Sequence, residues 1–179
     1  MKYGSLFSAL LLGSAGLVFS LATQAADKTQ IVKILDGKAS VELPIEFTRM
    51  PNDILKIAYE DEDRPQEAWY VESEDCDVFI TFHVAREKLE EDQVSKATDA
   101  MKAELSEFSP AISQVKVNSH QVGRLEFNVP DDEGNGYMSN MLQVSSFNGK
   151  MMFVTFFVTN KLESKYKPAG KAALSSLKY

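Results

Sequence analysis

Met141-Leu142-Gln143-Val144-Ser145-Ser146-Phe147-Asn148-Gly149-Lys150-Met151-Met152-Phe153-Val154-Thr155-Phe156-Phe157-Val158-Thr159 is the stretch on which the fold turns. Two β-prone runs flank Asn148-Gly149, and both turn residues tolerate the positive φ of a type I′ hairpin turn. In the second arm Met152, Val154, Phe156 and Val158 point one way, and Phe153 and Phe157 the other. A strand apolar on both sides needs cover on both sides, so it belongs in the middle of a sheet rather than at an open edge.

The elements on either side supply the rest of that sheet and its cover. Upstream, Trp69-Tyr70-Val71 and Val78 to Val84 read as a hairpin around Glu74-Asp75-Cys76-Asp77. After Arg86 the apolar period changes from two to about 3.6. Val94, Ala97, Met101, Leu105 and Phe108 form one stripe of an amphipathic helix that ends before Ser109-Pro110. Ile112 to Val117 and Gln121 to Val129 are strands, and a last helix runs over Leu162 to Leu177, with Ala173, Leu174 and Leu177 facing the sheet. Pro168 and Gly170 weaken its start. Near the beginning, Ala39 to Leu43 alternates as a strand after the turn Asp36-Gly37-Lys38, and Ile54 to Tyr59 reads as a further strand. The sum is an α+β domain over 31–177, a mostly antiparallel β-sheet with helices packed on it.

The first 26 residues read as a secretory signal. Lys2 is a short positive region, Leu6 to Leu21 is apolar, and Ala22-Thr23-Gln24-Ala25-Ala26 is a small-residue cleavage region. The apolar run is short for a spanning helix, which takes about 20 residues. Cleavage is expected after Ala25 or Ala26, placing the product in the periplasm. No cysteine stands at the cleavage point to carry a lipid anchor.

The chain of 179 residues has 19 basic and 26 acidic side chains, a net charge of −7. Losing the signal removes only Lys2. An acidic surface disfavours nucleic acid, whose binding needs cations to displace counterions, and disfavours attachment to anionic lipid. Nothing after the signal is apolar and long enough to span a bilayer, so the product is not expected to be an integral membrane protein. Cys76 is the only cysteine, so no internal disulfide can form.

The order of elements resembles the DcrB family, within the PsbP-like α/β/α sandwich group. The local match is Leu35-Asp36-Gly37-Lys38 followed by Ser40-Val41-Glu42-Leu43-Pro44, similar to that family's opening turn and strand. The resemblance covers Ile31 to Leu177 and implies the sandwich fold, an envelope setting and no catalytic residues or cofactor. Many DcrB-like proteins are envelope lipoproteins; this chain lacks the anchoring Cys, so membrane tethering is not expected to carry across. Relatives include the cytoplasmic Eag chaperones, which shield apolar helices of toxins awaiting secretion.

Signatures of chemistry are sparse. His83 and His120 are far apart with no ligand cluster beside them, and a zinc site needs three or four ligands. There is no Gly-x-Ser-x-Gly elbow, phosphate loop or His-Glu-x-x-His. Asp131, Glu133, Asn135 and Gly136 match the early positions of a calcium loop, but the place of the closing glutamate is taken by Leu142. Glu60 to Asp63 with Glu72, Glu74, Asp75 and Asp77 form an acidic rim.

Aromatic supply is the other feature. Trp69, Phe79 and Phe157 are the candidate binding residues, on a sheet face open to a protein, an apolar peptide or a lipid of the cell envelope. The functional expectation is a non-catalytic periplasmic protein acting by binding, in envelope maintenance or escort of an apolar segment. The alternatives are a small periplasmic hydrolase, which would unite a histidine with a serine and a carboxylate, and a calcium-stabilised interaction module.

Overall fold

The computed structural model describes residues 28–59, 64–130 and 136–179. The segment read as a secretory signal, residues 1–26, the acidic run 60–63 and the calcium-loop candidates Asp131, Glu133 and Asn135 lie outside the described residues. In chain order the strands are β1 (Thr29–Ile34), β2 (Ala39–Pro44), β3 (Phe47–Arg49), β4 (Glu67–Val71), β5 (Val78–Lys88), β6 (Ala111–Val117), β7 (His120–Pro130), β8 (Tyr137–Phe147) and β9 (Lys150–Thr159). The helices are α1 (Asn52–Ala58), α2 (Val94–Glu104) and α3 (Glu163–Ser176).

Seven strands form one antiparallel sheet in the order β3-β4-β5-β9-β8-β7-β6, while β1 and β2 pair as a separate hairpin. The opening stretch is the β8–β9 hairpin, with Asn148 at φ 53° and Gly149 at φ 74°. Strand β9 is central. Its Met152, Val154, Phe156 and Val158 are buried, and the alternate residues Met151, Phe153, Thr155 and Phe157 are half-buried. Neither face of β9 is left wholly to solvent, as its composition requires.

On the first face, which carries Ile80, Phe82 and Phe156, the cover is α3 together with the β1–β2 hairpin. Tyr166 of α3 meets Phe47 edge to face, with ring centroids 6.3 Å apart. Behind α3 the chain pairs with the hairpin, because Ser40 and Lys178 exchange backbone hydrogen bonds of 2.8 and 2.9 Å. On the second face α2 packs over Leu125, Leu142 and Val144. At the far side α1 packs its Leu55 with Ala68 and Tyr70.

Two glycines set how closely α2 and α3 lie on the sheet. A Cβ on Gly123 of β7 would stand 1.7 Å from the Thr98 Oγ1 and 2.7 Å from the Thr98 Cβ. Thr98 is fully buried in α2, and its hydroxyl donates to the Val94 carbonyl at 2.8 Å. A Cβ on Gly170 would stand 2.6 Å from the Met141 Cε and the Phe156 Cδ1. The glycine that weakens α3 by local propensity is therefore the residue that lets α3 approach β8 and β9.

Two sequence expectations change. Ile54 to Tyr59 is not a strand but lies largely in α1. Pro51 before the first turn and Asp53 within it are helix-start signals, and adjacent Ile54 and Leu55 break the alternation a strand would need. The helix after Arg86 stops being α-helical at Glu104, and Ser106–Phe108 continues as one tighter 3-10 turn. Phe108 still lies on the sheet, stacked on Phe127 at 5.9 Å.

Helix α3 is fastened at its start by Glu163, which accepts from the Tyr137 hydroxyl at 2.6 Å and pairs with Lys167 one turn on. The Lys167 bond first, then the Tyr137 bond, hold the Glu163 carboxyl below its ordinary range. A depressed carboxyl stabilises the fold above its unfolded pKa, and that contribution disappears as pH falls through the folded one. Glu163→Gln should therefore lower stability at neutral pH and flatten the acid limb below the ordinary carboxylate range, read by urea melts from pH 7 to 3.

Gly123→Ala should cost about 1–3 kcal/mol or more through overpacking against rigid, branched Thr98. Gly170→Ala should also destabilise: the Met141 terminus can turn away, but the buried Phe156 ring must shift, and the roughly 1 kcal/mol of helix propensity that alanine returns offsets only part of that. Urea denaturation of the two variants measures both, and an unaffected Gly123→Ala would refute the close approach of α2.

Candidate functional site

The second face carries a short aromatic ladder across β5 and β9. Phe79 stands opposite Phe157, Thr81 opposite Thr155, and His83 opposite Phe153. The Phe79 and Phe157 rings are stacked, with centroids 4.4 Å apart and an interplanar angle of 16°. His83 lies over Phe153 at 6.1 Å. Cross-strand aromatic pairs of this kind stiffen a sheet while presenting flat apolar area.

The ladder lies between the two helices of its face. Phe79 touches the cluster under α1, and Phe153 the cluster under α2. Phe157 belongs to neither cluster and stays half-buried. Among the described residues, the middle of the face is thus floored by the sheet and flanked by helices without a helix on top. Ile57 of α1 is 88% exposed.

Local electrostatics do not suit ionic chemistry at that end of the face. Burial first, then the Glu72, Cys76 and Asp53 charges, push the Tyr70 hydroxyl up, and burial alone does so for Tyr59. Burial, followed by Asp75 and Asp77, raises the Cys76 thiol. A thiol raised in this way holds little nucleophilic thiolate at neutral pH. Part of the acidic rim is also spoken for: Glu74 accepts from the Lys165 Nζ at 3.0 Å and from the Tyr166 hydroxyl at 3.2 Å.

The three candidate residues do not come together. Phe79 and Phe157 form one end of the ladder, but Trp69 stands opposite Ile80 in register and so lies on the first face, where its indole N–H donates to Glu67 at 2.9 Å. The side-chain period of two, applied from Tyr70 opposite Phe79, puts Trp69 on the other side. Glu67 belongs with Trp69 on that first face. The same period places it beneath Trp69 and Val71, and a carboxylate at an inward strand position is a signal for a partner.

The two histidines are likewise apart. His83 is on the second face. His120 is stacked on Tyr179 at 4.2 Å on the first, with its Nδ1 3.6 Å from Glu91. Ser145 beside Tyr179 is fully buried and closed to an external substrate. No serine–histidine–carboxylate set opens to a cleft among the described residues.

No protein-family model and no curated protein sequence matches the chain. Its structure is similar to that of cyanobacterial PsbP (CyanoP) from Synechocystis sp. PCC 6803, with a TM-score of 0.55 at 12% identity, over 93% of this chain and 98% of that one. A protein from Bacteroides thetaiotaomicron gives a TM-score of 0.48 at 14% identity, over 83% of this chain and 47% of that one. LpqN of Mycobacterium tuberculosis, involved in cell envelope biogenesis, gives 0.42 at 10% identity, over 84% and 89%. At such identities the likeness concerns the fold alone. The chain has a PsbP-like fold, a mostly antiparallel sheet with helices packed on both faces.

The state of Cys76 can be read directly. Its alkylation by iodoacetamide should lag behind that of a free cysteine peptide at pH 7 and close the gap only at alkaline pH. Parity at neutral pH, followed by mass spectrometry, would contradict the raised thiol.

Proposed function

We propose that this chain is an exported, periplasmic, DcrB-like protein that binds an apolar peptide segment and does no catalysis. In this reading residues 1–26 are a removable signal, 31–177 are one domain, and the role is envelope maintenance or escort. The observation that carries the reading is the half-buried, stacked Phe79–Phe157 pair on two inner strands near one end of a sheet face, flanked by α1 and α2. Apolar aromatic area held rigid between two ridges suits an amphipathic helix laid along the groove.

The acidic balance supports this reading by keeping a protein with exposed aromatic surface soluble. Among the described residues no helix is long and apolar enough to cross a membrane. The DcrB-like opening, Leu35 to Pro44, folds as the turn and second strand of the β1–β2 hairpin. No cofactor is required for binding of this kind.

The test is titration of the mature protein with bis-ANS and with a synthetic amphipathic helical peptide. Phe157→Ser should weaken both by about tenfold, the scale of a central interface residue. Ile57→Ser, exposed and therefore harmless to folding, should weaken them less. A photocrosslinking residue at position 157 in intact cells should trap a protein partner. Parent-like binding by both variants, with sheet content unchanged by circular dichroism, would dispose of the groove.

A further inference from the structure

On the other face of the sheet, away from Phe79 and Phe157, a cavity of about 460 Å³ opens where the β1–β2 turn meets the β8–β9 turn. Its size falls in the range of small-molecule sites, roughly 300–1,000 Å³. Three cations line it from three separate elements, Lys38 in the first turn, Arg49 of β3 and Lys150 at the start of β9, beside one exposed carboxylate, Asp36. They are set against a chain whose net charge is −7. Lys38 and Lys150 are exposed and have no carboxylate partner among the described residues.

The cavity floor is built around one buried carboxylate. Glu67 is only 4% exposed. Its Oε2 accepts the Leu35 backbone N–H at 3.0 Å, and its Oε1 accepts the Trp69 indole N–H at 2.9 Å and faces the Arg49 Nε at 3.5 Å. A carboxylate has about four acceptor sites, so these donors leave room for one more. Arg49 stays 62% exposed, with only its Nε facing Glu67 in that pair. Leu35, Val84 and Phe147 supply an apolar wall.

Both turns are fixed in shape. Leu35 and Asp36 hold φ of 53° and 57°, values that L-residues adopt at a cost. The Glu67 bond to the Leu35 N–H pins that turn. A residue held this way marks a place where backbone shape is overdetermined by its surroundings.

The geometry points to a site for a phosphorylated polyol, a glycerophosphate-type group. The phosphate sits among Lys38, Arg49 and Lys150, a hydroxyl donates to the free acceptor position of Glu67, and the carbon chain lies against Phe147 and Val84. Guanidinium and ammonium donors match phosphate oxygens by charge and by hydrogen bonding. Glu67 makes the site selective: it repels a bare anion and rewards one that carries a donor. The same chemistry exists free in solution and at the surface of a glycerophospholipid layer.

Trp69 is the only tryptophan of the chain and is hydrogen-bonded to Glu67, so its emission reports occupancy. The mature protein is titrated with sn-glycerol 3-phosphate, with inorganic phosphate, and with phosphatidylglycerol or phosphatidylcholine vesicles. Saturable change in Trp69 emission is expected with glycerol phosphate, with phosphatidylglycerol vesicles, or with both, and the responding arm names the source. Lys38→Ala with Lys150→Ala, both at exposed positions, should weaken it about tenfold or more. Phe157→Ser should leave it unchanged, so this site and the apolar groove stand or fall separately. Silence in both arms, an undiminished response in the double variant, or inorganic phosphate binding as tightly as glycerol phosphate would overturn the assignment.

Discussion

Helices α2 and α3 reach the sheet through two positions that carry no side chain. Gly123 makes room for Thr98 of α2, and Gly170 brings the α3 backbone against Met141 and Phe156. Helix–sheet contact elsewhere is made by interleaved side chains, which tolerate substitutions of similar volume. At these two points the contact is between side chain and backbone, and nothing larger than hydrogen fits. At this distance α3 buries Tyr166 on Phe47 and α2 buries Thr98 completely.

The two faces differ as a result. The first is closed by α3 and the β1–β2 hairpin, and that cover is knitted by the Ser40–Lys178 pairing and by the Glu42 N–H bonded to the Ser176 hydroxyl at 2.8 Å. It can bury polar residues such as Gln143, whose amide oxygen accepts from Arg124 at 2.9 Å. The second is covered at its two sides, by α1 and α2, and carries its aromatic ladder in between. One sheet therefore presents a sealed face with a charged cavity at its end and a half-open face of aromatic rings. The two candidate sites are physically independent, since the sheet itself separates them.

Much of the architecture was legible in the residues. The Asn148-Gly149 turn, the doubly apolar β9 and the period change after Arg86 each follow from a local rule, and tertiary packing agreed with them. Ile54 to Tyr59 is ambiguous because short apolar runs fit either period, and only the start signals Pro51 and Asp53 favour the helix. The β1–β2 hairpin was recognised as turn and strand, but local pattern cannot say which sheet a short strand joins. For the candidate site, Phe79 and Phe157 were placed together because both lie on β-strands with plain alternation. Trp69 was misplaced by one step of that alternation, and the cavity with Lys38, Arg49 and Lys150 was invisible because its members come from turns far apart in sequence.

Strand β9 is the last strand in the chain and the middle one in the sheet. Until it arrives, β3-β4-β5 and β6-β7-β8 are two half-sheets with no shared border, and β5 and β8 each present an unsatisfied backbone edge. A chain that emerges from its N-terminus first thus holds no complete sheet until nearly all of it has been delivered. Long-range pairings of this kind close slowly, since the intervening loop must be ordered before the contact rewards it. The connectivity commits the two halves of the sheet to folding as a unit, closed by the last strand.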